Sequence, residues 1–153
     1  MNQPQILSSQ IRDVIFGKDV KVVQPVNLYE CNIGDNCFIG PFVEIQGNAV
    51  VGNGTRVQSH SFICEGVTIG EDCFIGHGVM FINDVFATGG PAGDKAGWKN
   101  TQIGNRVSIG SNATLLPVSI CDEVVIGAGA VVTKDITEKG IYAGNPAKLI
   151  RRL

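Results

Sequence analysis

An aliphatic or phenylalanine residue, here called an anchor, returns every six positions along this chain. The first run of anchors is Ile33, Ile39, Ile45, Val51, Val57, Ile63, Ile69, Ile75 and Phe81. After an interruption the spacing resumes, slipping once by one residue, at Ile103, Ile109, Leu115, Ile120, Ile126 and Val132. A period of six fits neither an amphipathic helix nor a simple hairpin meander. Such short units bury their apolar sides only by stacking, so the repeat predicts an all-β solenoid, a β-helix.

A second pattern supports the first, because a small or β-branched residue lies four positions beyond each early anchor. These residues are Cys37, Val43, Ala49, Thr55, Ser61, Val67, Cys73 and Val79. Glycine follows many anchors directly, and Gly, Asn or Asp often fills the next two places, as in Asp35-Asn36 and Asn53-Gly54. These residue types tolerate the positive φ of a sharp corner. Each hexad is therefore predicted to be a short strand that ends at a corner.

Length and charge limit what the chain can be. Its 153 residues suit one domain, here 1–153, with a lead-in over about 1–13. The net charge of −2 gives no general attraction to nucleic acid or to a membrane, so neither is an expected partner. No apolar run approaches the roughly 20 residues of a membrane span, and the N-terminus lacks a signal-peptide pattern. We expect a cytoplasmic protein.

The five cysteines form no CxxC pair and no zinc-ligand spacing. Cys31, Cys37 and Cys73 fall in a phase of the repeat that elsewhere holds small residues. They are predicted to be buried core residues, and no metal site is expected.

Several segments resemble the bacterial hexapeptide-repeat acyltransferases. These are IGDNCFIGPFVEI, VTIGEDCFIGHGV and VVIGAGAVV, and IYAGNPAKLIRRL resembles the way many members of the family end. The resemblance implies a left-handed parallel β-helix with three hexads per coil, one long loop and a short C-terminal segment, 137–153. It also implies acetyl-coenzyme A as co-substrate, and a homotrimer with active sites between subunits.

Three hexads per coil place residues 18 positions apart at the same corner, about 4.8 Å from each other. Glu65 and Asn83 stand in that relation, and Asn83 opens the long insertion 84–101. A stretch of that length in a compact domain is usually a functional loop or a disordered one. In the family such a loop helps to form the site against the next subunit. Trp98 is a candidate substrate contact, or it packs to hold the loop down.

The segments SFICEGVTIGEDCFIGHGVMFIND and ATLLPVSICDEVVIGAGAVVTKDI are similar to the branch that N-acetylates nucleotide-linked amino sugars. That branch acts on dTDP- or UDP-linked 3-amino sugars in bacterial surface-glycan pathways. Its Glu in an EGV context and Asn in an F-x-N context face the sugar and its amine, and they match Glu65 and Asn83. The resemblance thus implies an amino-sugar N-acetyltransferase.

Amide formation needs a neutral amine, a donor for the oxyanion and an acceptor for the amine proton. His77, in a Gly-His-Gly corner, is the obvious candidate base, and His60 is the second. A sugar amine needs no protein base if the departing thiolate takes its proton. We therefore expect Asn83 to hold the amine or the thioester carbonyl, and Glu65 to orient the sugar.

Small residues on the C-terminal coils would let backbone amides approach the pantetheine arm of coenzyme A. The candidates for this groove are Gly110, Gly127, Ala128 and Gly129. Cations for the coenzyme phosphates are available at Lys134, Lys148, Arg151 and Arg152. The last three would share one face if the end is helical. The alternative is a solvated basic tail.

Other functions remain to be weighed. A γ-class carbonic anhydrase needs three histidines for zinc, and the chain has two, so this function is excluded. An O-acetyltransferase of serine, a sugar hydroxyl or an antibiotic would need His77 as base, because a hydroxyl needs a base far more than an amine does. A non-catalytic β-solenoid would leave the long loop and the Glu65/Asn83 spacing unexplained.

Overall fold

The computed structural model describes residues 4–5 and 8–153, and almost all of its regular structure is short β-strand. One 3₁₀ helix, Lys95–Gly97, interrupts the strands. In the described part of the chain, no helix is both long enough and apolar enough to cross a bilayer. The strands are β1 (Ile11–Arg12), β2 (Ile15–Phe16), β3 (Lys21–Val22), β4 (Asn27–Tyr29), β5 (Asn32–Ile33), β6 (Phe38–Ile39), β7 (Glu44–Ile45), β8 (Val50–Val51), β9 (Arg56–Val57), β10 (Phe62–Ile63), β11 (Val67–Ile69), β12 (Phe74–Ile75), β13 (Met80–Phe81), β14 (Thr101–Ile103), β15 (Ser108–Ile109), β16 (Thr114–Leu115), β17 (Ser119–Ile120), β18 (Val125–Ile126), β19 (Val131–Val132), β20 (Gly140–Ala143) and β21 (Lys148–Arg152).

Consecutive strands join three different sheets in rotation. Face 1 contains β1, β4, β7, β10, β13, β16 and β19. Face 2 contains β2, β5, β8, β11, β14 and β17, and face 3 contains β3, β6, β9, β12, β15, β18, β20 and β21. Neighbouring strands are parallel except for the last pair, and in the middle coils each residue pairs with the residue 18 positions away, as Ile63 pairs with Ile45. The chain is a left-handed parallel β-helix of about seven turns, which confirms the predicted fold class.

The anchors form the core of the β-helix. Every anchor from Ile33 to Val132 is at most 4% exposed, and the small residues of the second pattern are buried between them. The polar members of that pattern satisfy their hydrogen bonds inside. The Thr55 hydroxyl donates to the Gly70 carbonyl at 2.9 Å and accepts from the Cys73 N–H at 3.0 Å. The sequence pattern therefore identified the interior correctly.

The cysteines belong to this interior. Cys31, Cys37, Cys64 and Cys73 are buried, and Cys121 is half-buried. Burial raises the pKa of the Cys31 and Cys64 thiols to about 11, so these side chains stay protonated and unreactive near neutral pH. The prediction of core residues is confirmed for Cys31, Cys37 and Cys73.

The corners use two kinds of special residue. Positive φ falls on the third residue after an anchor, and the residues at this place include Asn36, Phe42, Asn48, Gly54, His60, Gly66, Asp72, Gly78, Arg106, Asn112, Glu123 and Gly129. The glycine directly after an anchor has another purpose. A Cβ on Gly76 would lie 2.7 Å from both the Ile109 carbonyl oxygen and the Ser111 nitrogen of the next coil. Glycine is needed there because the coils stack too closely for a side chain.

Three edges separate the faces, and the irregularities of the repeat collect on one of them. The loop edge joins face 1 to face 2 and includes 46–48, 64–66 and the long loop. Across it the anchor spacing is five for Leu28 to Ile33 and five again for Leu115 to Ile120, and the loop separates Phe81 from Ile103. The other two edges keep a spacing of six from Ile33 to Val132. These are the asparagine edge, which joins face 2 to face 3 (34–36, 52–54, 70–72, 104–106 and 121–123), and the histidine edge, which joins face 3 to face 1 (40–42, 58–60, 76–78, 110–112 and 127–129).

The lead-in and the long loop have other bounds than the sequence predicted. Within the lead-in, Ile11–Arg12 already pairs with β4, while residues 1–3 and 6–7 lie outside the described part. The long loop ends at Asn100, because Thr101 is a fully buried residue of β14.

The C-terminal segment is not helical. Lys148–Arg152 forms the strand β21, antiparallel to β20. Neighbouring side chains of a strand point to opposite sides, so Lys148, Arg151 and Arg152 cannot share one face as a helix would allow. Arg152 pairs with Glu138 at 3.1 Å. The condition for a shared face, a helical end, is therefore not met, because the segment completes face 3 as a strand.

Replacing Gly76 by Ala should test the close stacking of the coils. The added Cβ has no room, so Gly76→Ala should destabilise the fold by about 1–3 kcal/mol, the usual range for overpacking. At about 2–4 °C per kcal/mol, the fall in Tm is measurable by circular dichroism at fixed protein concentration. Gly90→Ala is the matched control, because among the described residues no atom lies within 4 Å of a Cβ at Gly90. Equal Tm values for the two variants would contradict this account of the corners.

Candidate active site

The histidine edge carries both histidines of the chain. His77 is exposed, and its Nδ1 lies 2.8 Å from the hydroxyl oxygen of Ser59 in the preceding coil. Coils nearer the N-terminus are called lower here, and coils nearer the C-terminus upper. His60 is also exposed, and its ring stacks on Phe42 with 4.8 Å between ring centroids. The interaction with Ser59 fixes the orientation of the His77 ring and leaves Nε2 without a role in that contact.

The small residues proposed for a cofactor groove lie on the same edge, in the coils above His77. Ala128 and Gly129 are exposed, and Gly129 has positive φ. A Cβ on Gly110 would lie 2.4 Å from the Ala128 nitrogen, whereas one on Gly129 would meet none of the described atoms within 4 Å. The edge therefore has the rings of Phe42 and His60 in its lower coils and His77 in the middle. Above them is a line of small residues that ends in Gly127, Ala128 and Gly129, with open space at Gly129.

Glu65 and Asn83 share the loop edge, as their spacing predicted. The Asn83 side-chain amide donates to the Glu65 carbonyl at 3.4 Å. Only 17% of the Glu65 side chain is exposed, and its carboxylate accepts from Asn48 Nδ2 at 3.3 Å and binds Lys95 Nζ at 2.6 Å. This hydrogen bond to Glu65 raises the pKa of Lys95 above its usual value, so the ammonium stays charged.

Trp98 reaches this group through Lys95. The Lys95 ammonium lies 5.7 Å from the centroid of the Trp98 ring, within the range of a cation–π contact. The ion pair with Glu65 attaches the long loop to the corner 64–66, whereas the aromatic contact with Trp98 lies within the loop. Trp98 is half-buried, and its cation–π partner Lys95 belongs to the same loop.

Sequence reasoning missed the residues below Glu65 on the same edge. Gln46 Oε1 accepts from the Glu65 N–H at 3.4 Å, and its Nε2 donates to Glu44 at 2.9 Å. Burial, together with the nearby charge of Glu44, raises the pKa of Tyr29. The signal that points to them is the same 18-residue spacing, because Gln46 and Asn48 flank position 47, which lies 18 residues before Glu65.

The long loop is pinched at its base and held by its own side chains. The Lys99 N–H donates to the Asn83 carbonyl at 2.9 Å, which closes the neck. Inside, the Asp84 carboxylate accepts from the N–H groups of Phe86 and Ala92, and Asp94 caps the 3₁₀ helix. A loop whose ends meet in this way is compact, and it leaves the β-helix register undisturbed.

One chain does not bring all the candidates together. His77 and Asn83 lie at opposite ends of a strand of face 1, six residues apart, which corresponds to at most about 20 Å at 3.3 Å per residue. The candidate base and groove are on the histidine edge, whereas Glu65, Asn83 and Trp98 are on the loop edge.

The candidate cations are dispersed in the same way. Lys134 follows β19 on the loop edge, whereas Lys148 pairs with Ala143 beside the upper end of the histidine edge. Arg151 lies further along β21, opposite Ile141. Over residues 4–5 and 8–153, no group of three or more His, Cys, Asp or Glu side chains is placed to hold a metal ion.

Two family models match the repeats. The model described as bacterial transferase hexapeptide (six repeats) matches residues 30–65. The model described as hexapeptide repeat of succinyl-transferase matches residues 63–81 and 100–134. Together they follow the β-helix on both sides of the long loop.

Comparison with characterised proteins gives partial matches in sequence and broad matches in structure. The chain is 49% identical over 63 residues to a chloramphenicol acetyltransferase of Agrobacterium fabrum, a match that covers 40% of this chain and 27% of that relative. AntD, an N-acyltransferase of Bacillus cereus solved with dTDP and coenzyme A, superposes with a TM-score of 0.73 at 19% identity, over 92% of this chain and 84% of that one. The GDP-perosamine N-acetyltransferase of Caulobacter crescentus, solved with coenzyme A and GDP-perosamine, gives 0.67 at 18% identity, over 92% and 57%.

The sequence match thus spans about a quarter of the length of that curated relative, and the structural matches at these identities show the fold alone. With the repeat, the core and both family models in agreement, the chain belongs to the hexapeptide-repeat acyltransferase family.

Proposed function

We propose that the protein transfers an acetyl group from acetyl-coenzyme A to the amine of a nucleotide-linked amino sugar, in the assembly of bacterial surface glycans. The observation that carries the proposal is the division of the candidate residues between two edges. The histidine edge offers an open line of small residues beside His77, and the loop edge offers a carboxylate, an amide and a loop. Two copies of the chain can bring these halves together, and a cyclic trimer does so three times.

Coenzyme A suits the upper half of the histidine edge. Its thin pantetheine arm can lie along Gly110, Ala128 and Gly129, where the absence of large side chains lets backbone amides approach. Lys148 is near the end of that line and Arg151 follows it, so cations are available for the phosphates. Lys134 would be supplied by the loop edge of the neighbouring copy. The two structural neighbours solved with coenzyme A support this choice of co-substrate.

The loop edge favours an amine as the acceptor. Glu65 already binds an ammonium group, that of Lys95, at 2.6 Å, and Asn48, Gln46 and Glu44 surround it with polar atoms that can bind sugar hydroxyls. A 3-amino sugar would place its amine between Glu65 and Asn83, with its ring hydroxyls at Gln46 and Asn48. A carboxylate in this place stabilises the substrate before the reaction, and the neutral fraction of the amine does the chemistry.

The reaction needs few protein groups. The amine nitrogen attacks the thioester carbonyl carbon, and the Asn83 amide stabilises the charge that develops on the carbonyl oxygen. The carbon–sulfur bond then breaks, the acetyl group stays on nitrogen, and the amine proton goes to the departing thiolate of coenzyme A. The products are the N-acetylated sugar and free coenzyme A thiol, so atoms and charge balance without a protein base.

A second candidate function is acetylation of a hydroxyl group, with His77 as the general base. The contact between Ser59 and His77 Nδ1 at 2.8 Å favours it, because in the tautomer whose Nδ1–H donates to the Ser59 hydroxyl, Nε2 is free to take a proton. The partial identity with a chloramphenicol acetyltransferase points the same way. The two candidates differ in how much the reaction depends on His77.

Acceptor specificity can be measured directly by following thiol release. With acetyl-coenzyme A and a panel of dTDP-, UDP- and GDP-linked amino sugars, the native protein should release thiol with at least one and be much slower with the free sugars. The nucleotide supplies binding energy that positions the amine for attack. Release with serine, galactosides or chloramphenicol and with no amino sugar would favour hydroxyl acetylation. Silence with every acceptor, and no binding of coenzyme A by calorimetry, would favour a non-catalytic solenoid.

Substitutions at the two edges should separate the mechanisms. Asn83→Ala should lower kcat at least about tenfold, because one positioned hydrogen bond to the reacting group is lost. His77→Asn should have a milder effect when the acceptor is an amine, and the comparison is made at saturating acetyl-coenzyme A. Near-complete loss in His77→Asn with Asn83→Ala active would instead assign His77 as the base.

Mixed trimers should test whether the site is shared between copies. Asn83→Ala disables the loop edge, and Ala128→Trp blocks the groove on the histidine edge. If each site joins these edges from two subunits, co-expressed variants with different tags should regain activity in about a quarter of their sites at equal proportions. Each variant alone is the control. No recovery in a mixed trimer, or a fully active monomer by light scattering, would place the site within one chain.

A further inference from the structure

An aromatic pair occupies the lower part of the histidine edge, where the other coils carry small residues. At the corners 40–42, 58–60, 76–78, 110–112 and 127–129, the third residue after the anchor has positive φ. It is Gly78 in the coil of His77, and Asn112 and Gly129 in the coils above. In the two coils below His77, the residue at this place is His60, with φ of 64°, and Phe42, with φ of 61°. A bulky residue in the left-handed region is strained, and such outliers collect at ligand-binding sites.

The pair is placed for contact with a ligand rather than for packing. Its rings lie 4.8 Å apart between centroids and 26° from parallel, which is a stacked arrangement. Phe42 remains 57% exposed, so much of its ring surface is accessible in addition to the part that covers His60. The Phe42 N–H donates to the Pro25 carbonyl at 2.6 Å and fixes the backbone below the ring. The core gains nothing from a phenylalanine turned outward at a corner.

The position of the pair relative to His77 sets what it can bind. Phe42 is two coils below the Gly76–Gly78 corner on the same edge, a distance of about 9.6 Å at 4.8 Å per coil. A ribose and a diphosphate can span that distance between a base and a sugar. The small residues proposed for coenzyme A lie on the opposite side of His77, so the two ligands would enter the site from opposite ends.

We propose that Phe42, supported by His60, is a stacking platform for the nucleobase of the acceptor. This inference rests on the proposed function in one respect, since that function makes the acceptor nucleotide-linked. Stacking uses the π-face that every base has, so the platform contributes to binding of uracil, thymine and guanine nucleotides alike. It supplies affinity for the nucleotide without discriminating one base from another.

Removal of the ring can be tested without loss of the fold. Asparagine tolerates positive φ and already occupies the equivalent corner place at Asn112, so Phe42→Asn should fold at least as well as the native chain. Its KM for a nucleotide-linked amino sugar should rise about tenfold, with kcat and the KM for acetyl-coenzyme A within about twofold of native values. Phe42→Tyr keeps the ring and is the matched control, which should behave as the native protein.

Direct binding distinguishes failure of the platform from failure of the proposed function. Calorimetry with UDP, dTDP and GDP should show about a tenfold loss of affinity in Phe42→Asn for each nucleotide. If the native protein releases no thiol with any nucleotide sugar, the proposed function fails, and this loss of affinity still supports the platform. Unchanged KM and unchanged nucleotide affinity would overturn the platform. So would a smaller assembly by light scattering together with a raised KM for acetyl-coenzyme A, since Phe42 would then be a contact between copies.

Discussion

Hydrogen bonds between successive coils are the constraint on which the rest of the molecule depends. The Gly40 N–H donates to the Val57 carbonyl and the Gly76 N–H to the Ile109 carbonyl, each at 2.8 Å, and the same bond recurs after other anchors along the axis. These bonds hold the coils one strand spacing apart, which leaves no room for a Cβ on Gly76. Because each coil repeats the one below, every side chain belongs to a vertical column. Residues far apart in sequence, such as Glu65 and Asn83, become neighbours by spacing alone.

The same constraint confines variation to the edges between faces, and in this chain the irregular spacings lie on one of them. A coil can lose a residue or gain a long loop only where the chain leaves one face and has not yet paired on the next. At the loop edge the pinched neck between Asn83 and Lys99 returns the chain to β14 in register with β11. The histidine edge keeps its spacing of six over the same coils, so its columns stay straight. A straight column suits an extended ligand, and a loop beside it suits a cover.

The sequence predicted what is periodic and missed what depends on contacts across columns. The anchors and the small residues between them follow from the six-residue period. The pairing of Glu65 with Asn83 follows from that period together with the three hexads per coil that the family resemblance implied. The strand Lys148–Arg152 was not predicted, because its pairing with β20 depends on the unpaired last strand of face 3. No local sequence pattern indicates that such a strand is available. The contact of Lys95 with Glu65 crosses 30 positions through a loop without a repeat, and the stacking of Phe42 on His60 depends on ring orientation at a corner. Periodicity gives the place of a residue, whereas these contacts depend on the direction of its side chain.

The ion pair of Glu65 and Lys95 connects the loop to the acceptor site in energetic terms. Two-thirds of the Lys95 side chain is exposed, and exposed ammonium groups gain little from a single ion pair because water solvates them well. Glu65 is mostly buried, and a buried carboxylate without a partner is costly. The carboxylate therefore needs a cation more than Lys95 needs the carboxylate. In the proposed reaction an ammonium group of the acceptor can be that cation, so the acceptor binds Glu65 as Lys95 is released from it. A hydroxyl acceptor carries no charge and could not replace Lys95 in this way.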